Sequence, residues 1–347
     1  MNGAFFVWGI AKRAVTVFNG KCKESIMTLT TWIVTDGKVG TEKQCIALAE
    51  ALGLKPIIKR IKAKFPWSKL PPPLWINPLG AFDEKEGDTL AEPWPQVIIA
   101  ATRCAAAPVA AIKKKLGKSI FTIFIQNPQM DLSNFDVVIA PQHDGLKGKN
   151  LIEIQGALHN LSKGELAKEG RIWKDIIPEG LPRPWVAVLL GGNSHHHRVS
   201  PALMEFYGSR LRQMALRQPM SFLVTASRRT PPDAFQAFKT ALGHVPRYIW
   251  NGLGDNPYHG FLDLADYILV TNDSVAMMSE AAATEKPLYA LPLEGGGKRL
   301  NKFYASLQEQ GIIQSFEGKL EELTYKAPEN MTAVLKVLQK DLGKIKA

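Results

Sequence analysis

The stretch Ala265-Asp-Tyr-Ile-Leu-Val-Thr-Asn-Asp-Ser-Val-Ala-Met-Met-Ser-Glu-Ala-Ala-Ala-Thr-Glu-Lys-Pro-Leu-Tyr-Ala-Leu-Pro292 decides the fold. It reads as a strand (267–270), a helix of small residues (275–284) and a second strand (287–291). Two apolar runs joined by a helix are neighbouring parallel strands, because parallel neighbours need a long crossover. The same alternation continues toward the N-terminus. Apolar runs at 31–35, 56–61, 97–101, 120–125 and 137–140 form one set. Those at 185–190, 220–225 and 248–250 join 267–270 and 287–291 in a second set. Helical segments at 41–52, 106–116, 201–217 and 233–242 separate many of them. The expected class is α/β, with two doubly wound parallel sheets covered on both faces.

The 347 residues suit two domains better than one. The expected layout is an N-terminal extension at 1–27, a first domain at 28–165, a linker at 166–184, a second domain at 185–315 and a terminal helical segment at 316–347. Ile-Pro-Glu-Gly-Leu-Pro-Arg-Pro at 177–184 is a strong loop signal. Met331, Val334, Leu335 and Leu338 have helical spacing. In 1–26 the apolar run precedes its lysines and arginine, the reverse of a secretory signal, so this segment reads as a disordered extension with Met27 as the functional start. No apolar run reaches eighteen residues. Cys22, Cys45 and Cys104 lack a CxxC spacing and read as reduced thiols in a cytoplasmic protein, with no metal implied. The net charge of +11 favours anionic partners.

Ligands of open α/β sheets bind beyond the carboxyl ends of the strands, so loops leaving strands carry the chemistry. After the first strand comes Asp36-Gly-Lys-Val-Gly40. Gly37 and Gly40 allow a sharp turn and close approach, Lys38 adds charge, and Asp36 stands where a general base or a turn brace would stand. A later strand exit, Pro141-Gln-His-Asp-Gly145, offers His143 and Asp144 as alternative bases. In the second half, the backbone N–H groups of Gly191, Gly192, Asn193 and Ser194 are expected to form a nest for a diphosphate, with His195 to Arg198 adding donors. Three successive histidines do not share a face, which argues against a metal site. Ser227, Arg228 and Arg229 follow the next strand. Asn272, Asp273 and Ser274 open the helix that carries Glu280, whose carboxylate suits a ribose diol. Lys298 and Arg299 end a Gly-Gly-Gly loop.

Between Ala51 and Phe82 there is no acidic residue. Arg60, Lys62 and Lys64 alternate with Phe65 and Trp67, a composition suited to an anionic membrane surface or to a plain solvated face. No nucleic-acid-binding module accompanies it.

Taken together, Val34-Thr-Asp-Gly-Lys-Val-Gly-Thr41, Gln126-Asn-Pro128, Gly156-Ala-Leu-His159, Thr225-Ala-Ser-Arg-Arg-Thr-Pro231 and the run from Thr271 to Glu280 resemble the mitochondrial-fission "elongated mitochondria" family. Its bacterial members are described as glycosyltransferases or nucleotide-sugar epimerases. The family is similar to GT-B glycosyltransferases, whose two Rossmann-like domains face a cleft. The resemblance implies a nucleotide-diphosphate-sugar donor held by the second domain, with Glu280 on the ribose, 191–194 on the diphosphate, and Trp250 and Asn251 at the base edge. It implies no cofactor or metal and a terminal helix returning to the first domain. The expected acceptor is membrane- or envelope-associated, lipid-linked or of lipopolysaccharide type, approached on the inner face of a membrane. Two other readings follow from the same likeness. One is an epimerase on this fold. The other is a non-enzymatic adaptor for a dynamin-like partner. The first loop departs from the related N-acetylglucosaminyltransferase of peptidoglycan synthesis in having no histidine.

Overall fold

The computed structural model describes residues 29–343; the extension at 1–27, with Cys22 and Met27, lies outside the described residues. The chain divides into two compact units, 29–160 with 329–343, and 161–328.

The first unit runs β1 (Thr31–Thr35), α1 (Val39–Ala51), β2 (Pro56–Arg60), β3 (Val97–Ala101), α2 (Arg103–Leu116), β4 (Phe121–Ile125), β5 (Val137–Pro141) and β6 (Leu151–Ile154). All neighbours pair in parallel, in the order β2-β1-β3-β4-β5-β6. β1 and β3 are buried along their whole length, as strands covered on both faces must be. Alternate residues separate by face: Trp32 and Val34 pack with Ala106 and Val109 of α2, while Ile33 packs with Leu48 of α1.

The second unit runs α3 (Lys163–Ile176), β7 (Trp185–Leu190), β8 (His197–Arg198), α4 (Pro201–Arg217), β9 (Ser221–Ala226), α5 (Pro232–Leu242), β10 (Arg247–Ile249), α6 (Tyr258–Leu264), β11 (Tyr267–Thr271), α7 (Val275–Ala282), β12 (Leu288–Leu291), β13 (Glu294–Gly295), α8 (Lys298–Glu309) and β14 (Gln314–Ser315). The main sheet is again parallel, in the order β10-β9-β7-β11-β12-β14, and β8 with β13 makes a small antiparallel ladder. Val188 packs with Leu211 and Phe238 on one face; Leu189 packs with Phe261 and Met278 on the other.

The boundaries differ from the sequence expectation. Residues 166–184 are not a plain linker, because most of α3 lies there. A capping box starts it: Ser162 Oγ accepts from Glu165 N, and the Glu165 carboxylate accepts from Ser162 N. Its Trp173 packs against α6, edge-on to Phe261 at 6.2 Å. Gly260 makes that possible, since a Cβ there would lie 2.4 Å from the indole. Residues 316–328 also stay with the second unit, held by Tyr289 Oη donating to the Glu321 carbonyl and Tyr325 Oη to that of Lys286. The return to the first unit begins at 329. There α9 (Asn330–Leu342) buries Val334, Leu338 and Leu342 among the residues packed on α1.

Candidate functional site

In each sheet the first strand lies between strands that the chain reaches in opposite directions: β1 between β2 and β3, and β7 between β9 and β11. Connections leave such a point toward opposite faces, opening a crevice at the carboxyl ends. Asp36 to Gly40 leave β1, and Gly191 to Ser194, Ser227 to Arg229 and Asn272 to Ser274 leave β7, β9 and β11, whereas His143 and Asp144 follow β5 and Trp250 and Asn251 follow β10.

In the second unit the exits of β7, β9 and β11 are tied by one buried carboxylate. Asp273 Oδ2 accepts from Gly192 N (3.2 Å) and Arg229 Nη2 (2.9 Å), and Oδ1 accepts from Thr271 Oγ1 (2.7 Å). Its side chain has 0% exposure. Gly191 N donates to Thr271 Oγ1 at 2.6 Å. Both glycines are required by space. A Cβ on Gly191 would stand 1.9 Å from the Asp273 carboxylate, and one on Gly192 would stand 2.1 Å from the Arg229 backbone.

This network corrects the expectation of a backbone nest. Asn193 N donates to the Arg229 carbonyl (3.0 Å) and Ser194 N to that of His197 (3.1 Å). All four N–H groups of 191–194 therefore have internal acceptors. The Asp273 carboxylate is likewise engaged by donors within the unit. Asn193 Oδ1 is taken by Val199 N and Asn272 Oδ1 by Leu293 N, both at 2.9 Å. Ser274 caps α7 by accepting from Met277 N. Ser227 Oγ accepts from Arg229 N. Asn251 Oδ1 accepts from Leu253 N, and Trp250 Nε1 donates to the Leu253 carbonyl, so this pair shapes its own turn.

What remains directed outward is mainly basic. His195, His196, Arg198, Arg228, Lys298 and Arg299 are exposed. The His195 and His196 rings lie 4.6 Å apart, while His197 is buried, so the three imidazoles do not converge. Gly297 precedes α8 with no side-chain cap, leaving that helix N-terminus to other acceptors. Glu280, half-buried on α7, lies against the hydroxyl of Tyr258 on α6. Burial first, and the adjacent Glu280 carboxylate second, hold that phenol well above its ordinary pKa. A cavity of about 460 Å³ lies elsewhere, at the amino edge of the same sheet, lined in part by Arg183, Asp266 and Lys286. Those groups already bond one another or backbone carbonyls.

In the first unit Gly37 adopts φ +76°, turning the chain out of β1. Gly40, by contrast, lies inside α1 and makes no turn. Asp36 is partly exposed (21%), and its Oδ2 accepts from Lys38 Nζ at 2.6 Å. Across the switch point Thr102 holds φ +78°, and next to it Gln126 holds φ +77°, a region that costs a non-glycine residue about 1–3 kcal/mol. Thr102 Oγ1 contacts Cys104 Sγ at 3.3 Å. Burial raises the Cys104 thiol pKa, and Asp36 and Lys38 lie close enough to act on it. His143 Nε2 stands 3.7 Å from Asp144 Oδ1 at the exit of β5, with side chains only 6% and 2% exposed. They offer little surface to a substrate.

The basic stretch is only partly free. Arg60 grips Glu42 through Nε (2.9 Å) and Nη2 (2.8 Å), and this pairing chiefly holds the Glu42 carboxyl below its usual range. Lys62 pairs with Glu86. Trp67 packs on the core, its ring 6.3 Å from that of Trp75. Arg60 and Trp67 of that stretch thus each have a partner within the unit, although the Arg60 side chain stays 60% exposed. Phe65 (82% exposed), next to Lys64 in the chain, and Ile76 (89%) and Leu74 are exposed apolar residues of the same stretch. Ile76 and Leu74 escaped notice in the sequence because isolated apolar residues near prolines have no periodicity. Among the described residues, no helix is long and apolar enough to cross a membrane.

Comparison with known proteins fits this geometry. The sequence model described as mitochondrial fission ELM1 matches residues 39–339. The chain belongs to that family. It is similar to the mitochondrial fission protein ELM1 of Arabidopsis thaliana, at 30% identity over 65% of this chain and 58% of the plant protein. The chain thus matches less than two thirds of that relative's length. An uncharacterized protein of Rickettsia prowazekii is 28% identical over 89% of this chain and 97% of its own. Among solved structures, a protein assigned as a UDP-N-acetylglucosamine 2-epimerase from Listeria monocytogenes superposes with a TM-score of 0.50. The superposition covers 90% of this chain and 88% of that one at 10% identity. That likeness establishes the GT-B fold for this member of the family and leaves its chemistry to the site.

Proposed function

We propose that the chain is a GT-B glycosyltransferase whose second unit holds a nucleotide-diphosphate-sugar and whose first unit receives a membrane- or envelope-associated acceptor. The observation that carries this reading is the second unit's switch point. There a rigid Asp273 brace fixes three strand exits, basic side chains surround them, and Glu280 lies one helix away. Glu280 can accept both hydroxyls of a ribose, and Arg228, Lys298 and Arg299 can neutralise a diphosphate. In the transfer, Asp36 takes the proton of an acceptor hydroxyl. The oxygen attacks the anomeric carbon, the bond from that carbon to the phosphate oxygen breaks, and the departing diphosphate is stabilised by the basic groups. The chain's own donors supply that stabilisation without an added cofactor.

Thermal unfolding across UDP-, GDP-, CMP- and dTDP-linked sugars tests the donor site. A donor at 100 times its Kd should add about 2.7 kcal/mol, a rise of a few degrees. Glu280→Ala should abolish that rise. No rise with any donor would sink the donor site and favour the adaptor reading. Solvent hydrogen entering the sugar of a bound donor without transfer would favour an epimerase instead.

The reading places Phe65 and Ile76 in an anionic bilayer, with Lys64 at the headgroups. Phe65→Ser with Ile76→Ser should therefore release the protein from phosphatidylglycerol vesicles in a sedimentation assay while leaving donor binding intact. Full retention on the vesicles by the double variant would refute the membrane role of these side chains.

A further inference from the structure

Thr35, the last residue of β1, is fully buried, and its hydroxyl has two fixed neighbours. Oγ1 donates to Glu42 Oε2 at 3.1 Å and accepts from Gly37 N at 3.2 Å. The direction is forced. The Arg60 pair keeps Glu42 ionised, and an ionised carboxylate only accepts. The single hydroxyl proton therefore goes to Glu42, which leaves a lone pair facing the Gly37 amide. Glu42 is 8% exposed in the first turn of α1, and the Arg60 fork reaches it from the end of β2. The stem of Arg60 then lies over Gly37, with Cδ 3.5 Å from where a Cβ would stand. Asp88 pins Arg60 on the edge strand: Arg60 N donates to Asp88 Oδ2 (2.7 Å), and Asp88 N donates to the Arg60 carbonyl (2.8 Å).

Asp36 is the residue that this relay encloses. It stands between Thr35 and Gly37, so the Thr35 hydroxyl closes a turn across its backbone. Within that turn its carboxylate is aimed by Lys38: Oδ1 accepts from Lys38 N (3.3 Å) and Oδ2 from Lys38 Nζ (2.6 Å). The same order of groups recurs at the switch point of the second unit. There Gly191 N donates to Thr271 Oγ1, that hydroxyl donates to Asp273, and Arg229 donates to the same carboxylate. In the first unit the glycine and threonine belong to one strand exit; in the second they come from β7 and β11. Different stretches of chain thus build one arrangement where an open sheet takes its ligand. A fully satisfied buried network of this kind rigidifies what it holds. We propose that Glu42, acting through the Thr35 hydroxyl, is the positioning residue that fixes Asp36 for proton transfer. This rests on the reading above in which Asp36 takes the proton of the acceptor.

The test uses the full chain with water as the acceptor and UDP-, GDP- and dTDP-linked sugars as donors. Water gives a proton to Asp36 as its oxygen bonds the anomeric carbon, and the released nucleoside diphosphate is measured. Thr35→Val keeps the shape of the side chain and removes the hydroxyl. It should slow release at saturating donor by about ten- to a hundredfold, the scale of a misplaced reacting group, with donor KM unchanged. Glu42→Ala should do the same. Thr35→Ser, which restores the hydroxyl, should return the rate. The Gly37 amide should resist hydrogen exchange in wild type and Thr35→Ser and lose that protection in Thr35→Val. Thermal unfolding confirms that each variant is folded at the assay temperature. The deciding measurement is the double variant: added to Asp36→Asn, Thr35→Val should cost nothing further, because the relay works through Asp36. A full additional loss there, as a purely structural threonine would give, overturns the inference. A wild-type rate in folded Thr35→Val or Glu42→Ala also overturns it, and leaves the transferase reading standing if wild type still outpaces Asp36→Asn. Release no faster in wild type than in Asp36→Asn, with every donor, would remove Asp36 as the base and the role of Glu42 with it.

Discussion

Asp273→Ala should destabilise the second unit by about 1–3 kcal/mol, the cost of leaving buried donors without their acceptor. The substitution strands Gly192 N–H, the Thr271 hydroxyl and the Arg229 guanidinium together. Urea unfolding, followed by probes in each unit, should show an early transition confined to the second. Donor binding should fall as well, because the β7, β9 and β11 exits lose their common tie. A ligand-contacting aspartate would behave differently: stability near wild type, with loss of affinity alone. That outcome would restore Asp273 as a direct contact and displace it as the brace.

The second large effect concerns the proton. Asp36→Asn should lower the rate of sugar transfer by roughly 10²- to 10⁴-fold, the usual contribution of a positioned general base. Its effect on stability should be small, because Asp36 is partly exposed and its ion pair is with Lys38 of the same loop. His143→Ala should show the opposite balance, since His143 and Asp144 are nearly enclosed. The assay is single-turnover transfer with a saturating donor, run alongside thermal unfolding of each variant. A fully active Asp36→Asn with an inactive but stably folded His143→Ala would move the base to the exit of β5.

Much of the architecture was legible because buried parallel strands announce themselves. Thr31–Thr35, Val97–Ala101 and Trp185–Leu190 are short, apolar and bounded by polar turns. β6 was missed for the converse reason: Leu151–Ile154 is an edge strand, half-exposed and interrupted by Glu153. α3 was missed because its apolar residues are few, and Trp173 has meaning only against Gly260 of α6.

At the site, sequence order selected the correct loops, since strand exits are where an open sheet can bind anything. It could not assign roles within them. Asn193, Asn272 and Asp273 look like ligand contacts on paper, yet Val199 N takes Asn193 Oδ1, Leu293 N takes Asn272 Oδ1, and Gly192 N bonds Asp273 from 81 residues away. His197 looks like one of three equal histidines, yet it alone is buried with a nitrogen left over.

The sequence by itself determined the two parallel sheets, the loops that matter and the basic character around them. Periodicity, glycine placement and charge are local properties that survive in one dimension. Only the tertiary structure decided which donors and acceptors are already spent. A hydrogen-bonding group's availability depends on neighbours that the chain brings to it from tens of residues away.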